Sequence, residues 1–207
     1  MHLNTCTIND PNTDALDTML YEIENINWDV IGFSETKVKE SKIESLDEHG
    51  YKLFLSGNDI SRSNGVGFLV NISYVPLIDD YQAISDRLAV LTLKTKFSKI
   101  TLIQCYLSTS SYSVEDITDI YDQIEAVMDK VPKRYHLFTM GDFNAKLGGL
   151  NTDYPTAVGK HTTGKANERG ELLAKFCTRN NLIVTNTQFQ KRKLYLEFTR
   201  WEDKEPN

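Results

Sequence analysis

Apolar positions recur along this chain with two periods. Over residues 13–26, Leu16, Met19, Leu20 and Ile23 follow the i, i+3, i+4, i+7 spacing with acids between them, which predicts an amphipathic helix capped by Asn12 or Thr13. A second helix is expected over 113–131, where Ile117, Ile120, Tyr121, Ile124 and Met128 form the stripe. Ser113 with Asp116 there resembles a capping box, and Pro132 lies just past the end. A third, over 167–180, groups Leu172, Leu173, Phe176 and Cys177 on one side. Between these lie short runs rich in β-branched and aromatic residues: 28–33, 65–72, 87–94, 100–106, 135–140 and 182–186. Their length and near-continuous apolarity suit strands buried on both faces. Residues 195–207 begin like a strand and end in a polar turn. Alternating helices and strands without an internal repeat predict an α/β domain.

With 207 residues, 40% of them hydrophobic and 25% charged, the chain has globular composition and enough length for a sizeable core. No run of 18 apolar residues exists, and the N-terminus lacks a secretory signal, so an intracellular protein (nuclear or cytoplasmic, not secreted) is expected. Cys6, Cys105 and Cys177 stand far apart in an odd number, which suits reduced thiols rather than disulfides or zinc. The net charge of −6 does not advertise a nucleic-acid binder. Its distribution is uneven: residues 1–50 carry 3 Lys and no Arg against 11 acids (−8), and residues 158–207 carry 10 Lys and Arg against 6 acids (+4). These are solvated faces, or an acidic metal-binding end with a basic surface for a phosphate backbone.

Two predicted strands end in acids. Glu35 follows the run at 28–33, and Asp142 follows the run at 135–140 in Gly141-Asp142-Phe143-Asn144. Loops at strand ends are where α/β folds place their chemistry. Carboxylates are hard ligands that suit Mg²⁺ or Mn²⁺ more than zinc, and such an ion activates water against a phosphodiester. Spacing alone does not establish a site, because most strand-end acids cap or form turns.

The surrounding segments sharpen this. NTCTI (4–8), WDVIGFSETK, GVGFLV, SDRLAVLTLK, LIQCYLSTS, GDFNAKLGG and NERGELLAKFCTRNNLIVTNTQF occur in this order and span essentially the whole chain. Together they resemble the endonuclease/exonuclease/phosphatase superfamily, with its DNase I-like fold. The likeness is greatest to the endonuclease domains of non-LTR retrotransposons and the craniofacial development protein 2-like group. The resemblance implies a two-sheet α/β sandwich with helices on the outer faces. It implies a Mg²⁺- or Mn²⁺-dependent endonuclease that cleaves DNA with metal-activated water. On that reading Glu35 is a metal ligand and Asn4 orients the ligand shell. Asp142 orients or deprotonates the water, Asn144 bonds the water or the scissile phosphate, and Tyr106 holds the phosphate through its hydroxyl. Arg169 either forks onto a phosphate or pairs with Glu168 or Glu171.

The chain departs from the family pattern at three places. Cys6 stands where Asp or Arg is frequent, and Leu107-Ser108 replaces Ala-Pro. The family continues beyond the equivalent of TRWEDKEPN into a strand carrying an Asp and then a Ser-Asp-His motif, while this sequence stops at Asn207. His2, His49, His136 and His161 stand in no such motif. The expectation is therefore a single domain over 1–207, incomplete at its C-terminus, missing C-terminal strands and impaired in catalysis. Two alternatives remain: a phosphatase or phospholipase of the same superfamily, and a non-catalytic remnant that binds nucleic acid or protein.

Overall fold

The computed structural model describes residues 1–4, 15–59, 64–107 and 113–190. The chain gathers into two compact units, Met1–Phe143 and Asn144–Asn207.

The first unit holds two sheets. Strands β1 (His2–Asn4), β2 (Val30–Ser34), β3 (Lys42–Leu46), β4 (Tyr51–Ser56) and β5 (Val66–Asn71) form one, in the order β1-β2-β5-β4-β3. Strands β6 (Ile78–Ser85), β7 (Leu88–Lys94), β8 (Lys99–Tyr106) and β9 (His136–Asp142) form the other, in that order. The β1/β2 and β8/β9 pairs are parallel and the rest antiparallel. Period-two alternation sorts the side chains of β4 and β5. Phe54, Val66, Phe68 and Val70 meet Ala89, Leu91, Leu93 and Tyr106 in the core between the sheets. Leu53, Leu55 and Leu69 join Ile31 and Phe33 on the opposite face, where α1 (Ala15–Glu24) lays Leu20 and Ile23. Both faces of the first sheet are thus covered, which is why its central strands read as unbroken apolar runs. Gly32 leaves the space between the sheets that the ends of the Gln104 and Met140 side chains fill.

Helix α2 (Val114–Met128) has the expected capping box: Ser113 Oγ accepts from Asp116 N at 3.2 Å, and Asp116 Oδ2 accepts from Ser113 N at 2.8 Å. Ile117, Ile120, Tyr121 and Ile124 are buried, as its stripe predicts. The proposed cap of α1 lies outside the described residues.

The second unit is built on α3 (Glu168–Arg179), which buries Leu173, Ala174, Phe176 and Cys177. The strand expected over 182–186 does not form. Val184 makes a single parallel bridge to Val158, and Thr185–Thr187 closes into a 3-10 turn. Thr187 explains the turn, since its hydroxyl donates to Val184 O at 2.6 Å and accepts from Gly159 N at 2.7 Å. The basic run and tail at 191–207 lie outside the described residues.

Candidate active site

The registers bring the candidate residues of the first unit to one end of its two sheets. Asn4 pairs with Ser34, the residue before Glu35, and Tyr106 pairs with Asp142. Ser34 Oγ donates to Cys105 O at 3.5 Å, so the end of β2 meets the end of β8. Glu35, Tyr106 and Asp142 are therefore carried on three strand ends tied to one another.

The backbone that carries Glu35 is unusual. Glu35 and Lys37 have φ of 60° and 53°, left-handed values that side chains other than glycine disfavour. Such conformations persist where the surroundings over-determine them. Here Thr36 N donates to Gly65 O at 3.1 Å and Lys37 N to Asn64 O at 2.7 Å. Asn64 is buried; its Nδ2 donates to Asp86 Oδ2 at 2.8 Å and its Oδ1 accepts from Arg87 Nη2 at 3.5 Å. Arg87 O accepts from Tyr106 N at 3.0 Å, and Asp142 O accepts from Leu107 N at 2.8 Å. A continuous hydrogen-bonded path thus joins the Glu35 turn to Tyr106 and Asp142. Leu107, one of the departures from the family pattern, is buried and makes this bond to Asp142 through its backbone.

Beneath the three strand ends sits Gln104, fully buried. Its Nε2 donates to Phe33 O at 3.0 Å and to Ser34 Oγ at 3.2 Å, and lies 3.1 Å from His2 Nδ1. Burial pushes the His2 imidazole below its ordinary pKa, against the pull of the Asp142 carboxylate and the Gln104 contact. The same carboxylate adds to the burial that pushes the Cys105 thiol well up. Cys105 is thereby a neutral packing group rather than a ligand or nucleophile. Gln104, Asn64 and Arg87 were not singled out from the sequence. Each is polar within an apolar run or beside a glycine turn, and that is the signal that marks them.

In the second unit, Asn144 takes a left-handed φ of 47°. The loop that follows it is tied to the start of α3: Asn167 Oδ1 accepts from Lys146 N at 2.9 Å and from Gly170 N at 2.8 Å, and Asn167 N donates to Lys146 O at 3.1 Å. The loop after Asn144 and the NERG segment therefore fold against each other, with Arg169 in the first turn of the helix. Glu171 lies 3.8 Å from Lys175.

Among the described residues no group of three or more His, Cys, Asp or Glu side chains could hold a metal ion. Glu35 offers a single hard carboxylate. That fits Mg²⁺, which retains several waters and binds through one or two carboxylates together with substrate phosphate oxygens.

The model of the endonuclease/exonuclease/phosphatase family matches residues 1–198. The chain belongs to the endonuclease/exonuclease/phosphatase family. Craniofacial development protein 2 of Bos taurus is 31% identical over 195 residues, which is 93% of this chain and 32% of that protein. The chain thus spans about a third of the length of the curated relatives it matches. Among solved structures, the endonuclease domain of TRAS1, a telomere-specific non-LTR retrotransposon, superposes with a TM-score of 0.56 at 17% identity, covering 86% of this chain and 68% of that one. The Neisseria 3′ phosphatase NExo, bound to a product DNA hairpin, gives 0.51 at 16% identity, covering 72% and 59%. These likenesses are ones of fold: two mixed sheets with helices, in this family's α/β sandwich. No helix among the described residues is long and apolar enough to cross a membrane.

Proposed function

We propose that this chain is a divalent-metal-dependent phosphodiesterase acting on DNA, an endonuclease that hydrolyses the backbone with an activated water. The observation that carries this reading is the meeting of Glu35, Tyr106 and Asp142 at one end of two sheets in a chain of this family. Glu35 holds Mg²⁺ or Mn²⁺, with Asn4 ordering the ligand shell. The ion when bound supplies charge neutralisation at the non-bridging phosphate oxygens. Tyr106 positions the phosphate through its hydroxyl. Asp142, whose charge reaches His2 and Cys105, orients the attacking water and accepts its proton. Asn144 bonds the water or the phosphate, and Arg169 forks onto a phosphate oxygen.

Nicking of supercoiled plasmid with Mg²⁺ or Mn²⁺ tests this, with wild type beside Asp142→Ala and Glu35→Ala. Each substitution is expected to lower the rate by at least about 10²-fold, since each removes a group that acts on the transition state. Turnover of an inositol phosphate in place of plasmid would favour a phosphatase. A folded wild-type protein that turns over neither substrate would leave a non-catalytic binding module.

A further inference from the structure

At the far end of the second sheet from the candidate site, two turns concentrate cations around an exposed ring. The β7–β8 turn carries Lys94, Lys96 and Lys99, and the segment before β9 carries Lys130, Lys133 and Arg134, with no acid within 94–99 or 130–136. These are six of the 23 Lys and Arg of a chain whose net charge is −6. Ser98 Oγ donates to Arg134 O at 3.1 Å and holds the two turns together. Of the nearby acids, Asp79 pairs with Lys99 and Asp80 accepts from Gln82, while Asp129 at the C-cap of α2 stands beside Lys130, so six cations face three acids here. Lys94, Lys96, Lys130, Lys133 and Arg134 are exposed.

Phe97 stands at the tip with 90% of its surface exposed. The turn that presents it is stitched by Thr95, whose N and Oγ1 donate to Ser98 O at 2.9 and 2.8 Å and whose Oγ1 accepts from Ser98 N at 3.2 Å. Lys96 Nζ lies 5.4 Å from the Phe97 ring centre. Tyr135 alongside is flanked by Lys99 at 5.5 Å and Arg134 at 5.3 Å.

We propose that this double turn is a binding surface for single-stranded nucleic acid, separate from the catalytic end. Cations track the phosphates, and Phe97 stacks on an unpaired base, a combination that needs no sequence preference. A duplex keeps its base faces closed within the stack and offers this ring nothing. A bilayer would draw the same cations, but among the described residues of the β7–β8 turn Phe97 is the one large apolar group, and its neighbours Thr95, Lys96 and Ser98 are polar. The surface begins at Lys99, seven residues along β8 from Tyr106, roughly 23 Å at about 3.3 Å per residue, so it is too distant to be a subsite for the same phosphate.

Fluorescence anisotropy with labelled oligo(dT) of about 20 nucleotides, in EDTA so that no cleavage intervenes, tests the proposal. Phe97→Ala is expected to weaken binding about 5- to 100-fold, the range of one lost base stack. The triple substitution Lys96→Glu, Lys133→Glu, Arg134→Glu is expected to abolish binding, while single charge removals flatten the dependence of log K on log salt. Phe97→Ala should keep the plasmid-nicking rate of wild type, because Phe97 lies at the opposite end of the sheet from Tyr106 and Asp142, and this separates the surface from the catalytic reading; loss of nicking in Asp142→Ala would not touch it. Equal binding by wild type and Phe97→Ala, duplex competing as well as single strand, or capture by phosphatidylserine vesicles but not by the oligonucleotide would each overturn it. Unchanged circular dichroism melting of the variants shows that the fold is kept.

Discussion

Gly141 and Lys37 sit beside the candidate site with backbones of the same sign and side chains of opposite suitability. Gly141 precedes Asp142 with φ of 143°, and a Cβ there would overlap the Cys105 carbonyl. The first position of Gly-Asp-Phe-Asn is thus a packing requirement of the β8/β9 pair. Gly141→Ala is expected to destabilise the protein by about 2 kcal/mol or more, read as a lower urea midpoint at unchanged slope. A loss under about 0.5 kcal/mol would mean the strand relaxes there at no cost. Lys37 predicts the reverse. Its side chain is exposed and its φ of 53° is left-handed, while its N–H bond to Asn64 is a backbone bond that any residue keeps. Lys37→Gly should therefore raise stability, by up to about 1 kcal/mol, because relief of left-handed strain exceeds the entropy that glycine adds to the unfolded chain. A fall in the midpoint would show that the turn is held without strain.

The helix starts differ in what they hold. Ser113 caps α2 within its own box, so Ser113→Ala should cost about 1 kcal/mol. Asn167 Oδ1 accepts from Gly170 N of α3 and also from Lys146 N of the loop after Asn144. Asn167→Ala leaves two donors without that partner and should cost about 2 kcal/mol. Equal losses in the two variants, measured by urea unfolding, would show that the loop bond adds nothing. The elements legible beforehand were those whose burial is written locally. The central strands β2, β5, β7 and β8 are covered enough on both faces to read as apolar runs, and α2 and α3 carry caps and stripes. Strands β1, β3, β4 and β6 escaped. β3 and β6 are edges: Lys42 and Glu44 pair on exposed β3, and Asp79 and Asp80 interrupt β6. Charged edges discourage further pairing, and they also erase the pattern. β4 is interior and mostly buried, but Lys52 and Ser56 leave it only three consecutive apolar residues, Leu53, Phe54 and Leu55. The same logic divides the site. Glu35 and Asp142 were readable because an apolar run stops at each. Gln104 and Asn64 were not, because Gln104 meets Phe33 71 positions away and Asn64 meets Asp86 22 positions away.

At the scale of the molecule, Cys105, Cys177 and Tyr81 resist ionisation at high pH, and this sets a direction for its alkaline stability. Burial, with the Asp142 charge, pushes the Cys105 thiol well up, and burial pushes Cys177 up to about 12. Burial also raises Tyr81, whose hydroxyl has no hydrogen-bond partner among the described residues. An unfolded chain releases its thiol protons from about pH 8.5 and its phenol protons from about pH 10. Above pH 8.5 the native state therefore holds protons that the unfolded state has lost, and stability falls as pH rises. The contribution is fully present below the unfolded thiol value and fades toward the raised native ones. Thermal melts are expected to be level from about pH 7 to 8 and to drop above pH 8.5. Growing negative charge on a chain already at −6 acts in the same direction by self-repulsion, so the drop alone does not identify the thiols. The variant Cys105→Ala, Cys177→Ala separates the two causes. It starts from lower stability, because two packed groups are shortened, but its melting temperature should fall more shallowly between pH 8.5 and 10 than that of wild type. Parallel curves for the two proteins would assign the alkaline loss to net charge and leave the buried thiols without a part in it.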